Sequence, residues 1–159
     1  MFLNESNPAP IMEIKERTPR IIKSSNPFQD KRGRIDNYEL PYPVNMANII
    51  TSKEGEIRAN HYHPEQTQQC LVVLGKYLSV YLDLTKPGSA LKSQIVGAGD
   101  LEVMPPMVAH AMIFLEDTTF LNLVGGNRDH DKYGKEHTIP YQIVSEDDAK
   151  KFRQLHKSS

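Results

Sequence analysis

The sequence predicts an all-β fold, a single barrel or sandwich followed by one short helix. Three observations carry this. Short β-prone runs recur at regular spacing with turn residues between them. The 159 residues suit one core and leave little room for a second. Only the tail, "SEDDAKKFRQLHK", has a helical pattern.

Residues 1–27 hold Pro8, Pro10, Pro19 and Pro27 among short polar stretches and read as an N-terminal arm with one strand at "IIKS". From residue 28 to 144 the pattern is that of a β-barrel of roughly seven to nine strands. "RIDNYELP", "NMANIITS" and "EIRANHYH" come first. "QCLVVLGKYLSVYLDL" is too long for one straight strand and should bend or split near Gly75. Its second half alternates, with Tyr77, Ser79, Tyr81 and Asp83 against Leu78, Val80, Leu82 and Leu84. "TKPGSA" is a turn, and "LKSQIVGAGD", "LEVMPPMVAHAMIFLED" and "TTFLNLVGG" complete the series. Residues 145–159 form the C-terminal helix, with Ser145 as cap, Asp147 and Asp148 in the first turn and basic residues toward the end.

Composition excludes some functions. A net charge of -1 offers no basic surplus for nucleic acid, and no apolar run approaches a membrane span. The N-terminus lacks a basic region followed by an apolar stretch, so a cytoplasmic location is expected. The one cysteine, Cys70, lies in an apolar run and reads as a small buried hydrophobe.

The chemistry lies in "HYH". In a strand, His61 and His63 point to one face and Tyr62 to the other. Pro64 ends the strand, and the next begins near Gln68, which shares parity with Cys70, Val72 and Leu74. If that set faces a barrel interior, Gln68 enters it near the mouth. A turn through "MPP" hands His110 to another strand. His61, His63, His110 and the Gln68 amide oxygen can thus converge on a divalent metal: Zn, Fe, Ni or Mn. The same residues also fit a solvated strand face and a satisfied turn histidine. No organic cofactor is implied.

With these residues in place, the sequence resembles the cupin superfamily. Its first motif, G-x5-H-x-H-x3-4-E-x6-G, is matched by Gly55, His61, His63 and Gly75, with Gln68 at the glutamate. Its second, G-x5-P-x-G-x2-H-x3-N, is matched by Gly99, Pro105 and His110, with Met107 at the glycine and Phe114 at the asparagine. A narrower resemblance joins "FQDKRGRI", "IRANHYH" and "PPMVAHAMIFLED" to cupins that act on nucleotide-linked sugars, with Ala59 replacing a glycine. These include the deoxysugar 3,5-epimerases, the 3,4-ketoisomerases and capsule-polysaccharide cupins.

The resemblance implies a jelly-roll barrel and an isomerase or epimerase-like enzyme of nucleotide-sugar or cell-surface polysaccharide metabolism. His61 or His63 would be the base beside a ketone. Arg58 would contact the nucleotide diphosphate or sugar. Strict alternation puts Arg58 on the face opposite His61 and His63 unless a bulge intervenes. The catalytic tyrosine of the 3,5-epimerases would fall near Arg128, whereas Tyr133 comes later in "GGNRDHDKYGKEH". Asp129, His130, Asp131 and His137 make that stretch polar. The alternatives are a metal-dependent cupin dioxygenase and a non-catalytic binder of a small ligand. The expected partners are a keto-sugar or small acid and a second copy of the chain, as cupins commonly pair through their N-terminal strands. Neither nucleic acid nor membrane is expected.

Overall fold

The computed structural model describes residues 17–126 and 129–157. The first sixteen residues of the arm and Arg128 therefore lie outside the described residues. The strands are β1 (Arg20–Ile22), β2 (Ser25–Asp30), β3 (Gly33–Asn37), β4 (Met46–Ser52), β5 (Ile57–Tyr62), β6 (Gln68–Leu74), β7 (Lys76–Asp83), β8 (Lys92–Gly97), β9 (Leu101–Met104), β10 (Val108–Phe114), β11 (Thr118–Val124) and β12 (Ile139–Pro140). Among the described residues there is one α-helix, α1 (Glu146–Lys157), and a short 3-10 turn (His130–Lys132) before β12.

Two five-stranded antiparallel sheets face each other, ordered β1-β9-β6-β11-β4 and β12-β5-β10-β7-β8. The chain is therefore an all-β jelly roll with one short C-terminal helix. β2 and β3 form a separate two-stranded hairpin. That hairpin, together with the short β1 and β12, raises the strand number above the expected seven to nine.

The core fills the space between the sheets. Cys70, Val72, Tyr77, Val96, Met112, Phe114 and Phe120 form the interior cluster, with the Phe114 and Phe120 rings stacked 6.2 Å apart. Burying each large side chain is worth about 1.5–3 kcal/mol. A second cluster lies outside the second sheet, where Leu78, Val80, Ala111 and Ile113 meet Val144 and Ala149 at the start of α1. Ser145 caps that helix reciprocally: its hydroxyl accepts from Asp148 N at 3.1 Å, and its own N–H donates to Asp148 Oδ2 at 3.1 Å.

Gly75, at φ +80, splits the long run into β6 and β7. A Cβ there would meet the Asp117 carbonyl at 2.3 Å, so only glycine fits. The interior parity of β6 holds for Gln68, Cys70 and Val72, but Leu74 is 62% exposed. A register shift between Thr119 and Phe120 of β11 turns the end of β6 outward.

Candidate functional site at the barrel mouth

The site is built where β5, β6 and β10 approach one end of the barrel. β10 pairs with β5 so that His110 lies opposite His61. His63 follows just beyond β5, and its carbonyl accepts from Met107 N at 2.8 Å across the turn before β10. The three rings converge. Centroids lie 4.8 Å apart for His61–His63, 4.8 Å for His61–His110 and 5.5 Å for His63–His110. One nitrogen from each lies within 4.8 Å of the others. His63 and His110 are buried at 1% and 2% exposure, whereas His61 is half-buried as a residue with both ring nitrogens turned inward.

Hydrogen bonds orient the rings. His63 Nδ1–H donates to the His137 carbonyl at 2.8 Å, and Thr138 Oγ1 lies 3.3 Å from the same nitrogen. His110 Nδ1–H donates to the Val108 carbonyl at 3.0 Å. Both rings therefore direct Nε2 away from these carbonyls. Gln68 enters the interior and is buried; its Oε1 lies 3.1 Å from His110 Nε2, and its Nε2 donates to Asn122 Oδ1 at 3.1 Å. A ring protonated only at Nδ1 turns a lone pair toward that amide oxygen. Two acceptors so close call for a proton, a cation or a reversed amide between them. Three imidazoles and one amide oxygen are also a donor set that divalent transition metals accept. The backbone carbonyls behind His63 and His110 complete the usual support of metal-binding histidines.

Arg58 stands elsewhere. β5 carries a bulge: Ala59 pairs with Ala111 and His61 with His110, which leaves Asn60 as the extra residue. Arg58 consequently pairs with Met112, on the same β10 face as His110, so the bulge removes the parity conflict. Its guanidinium, however, donates to the Ser52 hydroxyl and to the Thr51 carbonyl at 3.0 Å, at the far end of β4. That end pairs with Thr118, six residues along β11 from Val124, which pairs with Gln68, or about 20 Å from the level of Gln68.

The polar stretch after β11 supplies residues that spacing alone did not assign. Tyr133 sets its ring edge-on to His61, with centroids 6.4 Å apart, and lies equally far from His137. His137 is buried; its Nε2–H donates to the Asp129 carbonyl at 2.8 Å and its Nδ1 accepts from the Thr138 hydroxyl at 2.7 Å. The composition of "GGNRDHDKYGKEH" was the available signal, but its loop path has no period to read. His137 also lines a cleft of about 850 Å³ at the mouth, with Arg17, Tyr42, Glu65, Gln66 and Thr67.

Neither a protein-family model nor a curated protein matches the sequence. Solved structures do. A dTDP-4-dehydrorhamnose 3,5-epimerase from Sulfolobus tokodaii is 22% identical, with 80% of this chain and 82% of that one covered and a TM-score of 0.62. The sugar 3,4-ketoisomerase QdtA from Thermoanaerobacterium thermosaccharolyticum, solved with TDP, is 18% identical over 88% of this chain and 98% of its own, with a TM-score of 0.64. A mutant of QdtA was solved with TDP-4-keto-6-deoxyglucose. A 3,4-ketoisomerase from Helicobacter canadensis is 18% identical over 86% and 97% of the two chains, with a TM-score of 0.63. By its fold the chain is a jelly-roll barrel of the kind that these sugar epimerases and ketoisomerases share.

Proposed function

We propose that this chain is an isomerase or epimerase-like enzyme that moves a proton beside the carbonyl of a nucleotide-linked or small keto-sugar. The carrying observation is the convergence of His61, His63 and His110 at the barrel mouth, with Tyr133 against the half-buried His61. The solved structures that share the fold support the substrate class. His61 takes the proton from the carbon next to the ketone; the C–H electron pair becomes the enolate. The tautomer of His63 leaves Nε2 as its basic nitrogen for the same task at a neighbouring carbon. Tyr133 returns a proton, and His110, once protonated at both ring nitrogens, stabilises the developing oxyanion by its charge while Gln68 Oε1 accepts from its Nε2–H. Arg58 binds the charged end of the ligand on the same barrel face, exchanging Ser52 and Thr51 for a ligand oxygen.

A second reading is favoured by the donor set. His61, His63 and His110, with Gln68 as a weak fourth ligand, would hold a divalent ion: Zn, Fe, Ni or Mn. Bound there, such an ion supplies Lewis-acid polarisation of a carbonyl oxygen. The chain's own residues would orient the ligand, and the Val108 and His137 carbonyls would keep two rings in the ligating tautomer.

One experiment addresses both readings. Elemental analysis of untagged protein and of His61→Ala is paired with deuterium wash-in from D2O into TDP-4-keto-6-deoxyglucose. Wash-in that falls at least a hundredfold in His61→Ala supports the isomerase reading, and its absence in the native protein sinks it. Near-stoichiometric metal lost in the mutant supports the metal centre; none after incubation with Zn, Ni, Fe and Mn removes it.

The same proposal includes a homodimer. Among the described residues the β2–β3 hairpin pairs only with itself and leaves Phe28 52% and Ile35 57% exposed. The outer face of the first sheet exposes Ile49 at 77% and Val73 at 58%. Covering one with the other in a second copy would bury both. Light scattering should give twice the chain mass, and Phe28→Asp with Ile35→Asp should halve it. A monomeric native protein would reject this arrangement.

A further inference from the structure

We propose that Asn60 is a positioning residue of the site: it fixes the direction in which the bulged strand presents His61. The inference rests on the reading of His61 as a reacting group. Asn60 is the residue of β5 with no partner on β10, and both Ala59 and Asn60 are left-handed, at φ +68 and +53. Two such residues in succession are unfavourable for side chains other than glycine. The bulge therefore needs outside support, or β5 would slip into regular register. That slip would move Arg58 to the outer face and swing His61 relative to His110.

The Asn60 carboxamide supplies that support. Its Oδ1 accepts from Ile143 N at 3.0 Å and from Val144 N at 3.1 Å, while its Nδ2 donates to the Val144 carbonyl at 3.0 Å. Its backbone carbonyl accepts from Tyr141 N at 2.8 Å. Val144 is 1% exposed and packs with Ala149 of α1, so the bulge is fastened to an anchored part of the molecule. The same segment continues along the site strand. Pro140 pairs with His61, Ile139 with Tyr62, and the His137 carbonyl accepts from His63 Nδ1–H. Residues 137–144 thus form a strap along the back of the site, and Asn60 is its side-chain fastening.

The test uses the full chain with the variants Asn60→Gly and Asn60→Asp. Glycine accepts the left-handed backbone and loses all three side-chain bonds, whereas aspartate keeps an acceptor for Ile143 N and Val144 N. The readouts are the imidazole 1H–15N signals of His61 without substrate, assigned by their loss in His61→Gln, and deuterium wash-in into TDP-4-keto-6-deoxyglucose. In Asn60→Gly the His61 signals should shift or broaden and wash-in should fall about tenfold. Asn60→Asp should return both toward native values. Ala149→Gly, which weakens helix docking without touching the bulge, should lower thermal stability and move neither. Unmoved His61 signals in Asn60→Gly, or equal shifts in Ala149→Gly, would overturn the proposal. Should the glycine variant not fold, Asn60→Ser, with its shorter side chain, is read by the same criteria. Failure of native protein to wash in deuterium would reject the enzymatic reading alone, because the substrate-free signals still decide the role of Asn60.

Discussion

Ala59 and Met107 occupy positions where the motifs that this sequence resembles carry glycine, and both nevertheless adopt left-handed backbone, at φ +68 and +62. The motif thus records a conformational requirement that this chain meets at a cost of about 1 kcal/mol or more per residue. At Ala59 the offset is slight, because only one methyl packs against the interior cluster. Ala59→Gly should therefore leave the melting temperature unchanged or raise it. Ala111→Gly, fully buried on the facing strand, should lower stability by about 1 kcal/mol or more. Thermal unfolding of the two variants side by side checks this; equal losses would show that the backbone at Ala59 carries no strain. His61, His63, Gln68 and His110 were legible as a converging set because strand parity and a single turn place them. Tyr133 and His137 were not, since a loop brings them to the site and loops have no period.

At the level of elements, alternation marked the strands but left open what lies on either side of them. In the run after Gly75 both faces are covered: Tyr77, Leu78, Ser79 and Val80 are all at most 1% exposed. The Tyr and Ser side faces the barrel, and the Leu and Val side lies beneath α1. A helix docked on the outer face converts an apparently solvated strand into a central one, and sequence patterning cannot announce that contact. The split at Gly75 was legible because glycine is needed for a close backbone approach. The β5 bulge was not. Its two left-handed residues, Ala and Asn, are not glycines, and the support for Asn60 comes from a segment more than eighty residues later. Arg58 shows the consequence: parity counted along β5 gives the wrong face, and pairing counted across β10 gives the right one.

For the molecule as a whole, the interior is layered, and the layer beneath the histidines holds a buried acid. Glu102 is 3% exposed; its oxygens accept from the Tyr77 hydroxyl at 2.7 Å and from Gln94 Nε2 at 3.0 Å. Burial pushes the Glu102 carboxyl above its ordinary value of 4.5, and the donors around it only partly oppose that shift. Below about pH 4.5 the carboxyl is protonated in both the folded and the unfolded chain, so this group adds no pH dependence. As pH rises above that value the unfolded chain gives up the proton while the fold retains it. The stabilisation is then progressively lost until the folded-state carboxyl also ionises. Glu102→Gln keeps the shape and an acceptor but cannot ionise. The melting temperature of Glu102→Gln minus that of the native protein should therefore increase as pH is raised from 4 to 8. Carboxyls whose values are lowered, such as Asp148 beside Ser145, act in the opposite direction but are common to both proteins and cancel in the difference. A difference that stays constant across that range would mean that Glu102 titrates alike in the folded and unfolded chain, and one that falls would mean that the barrel holds it ionised.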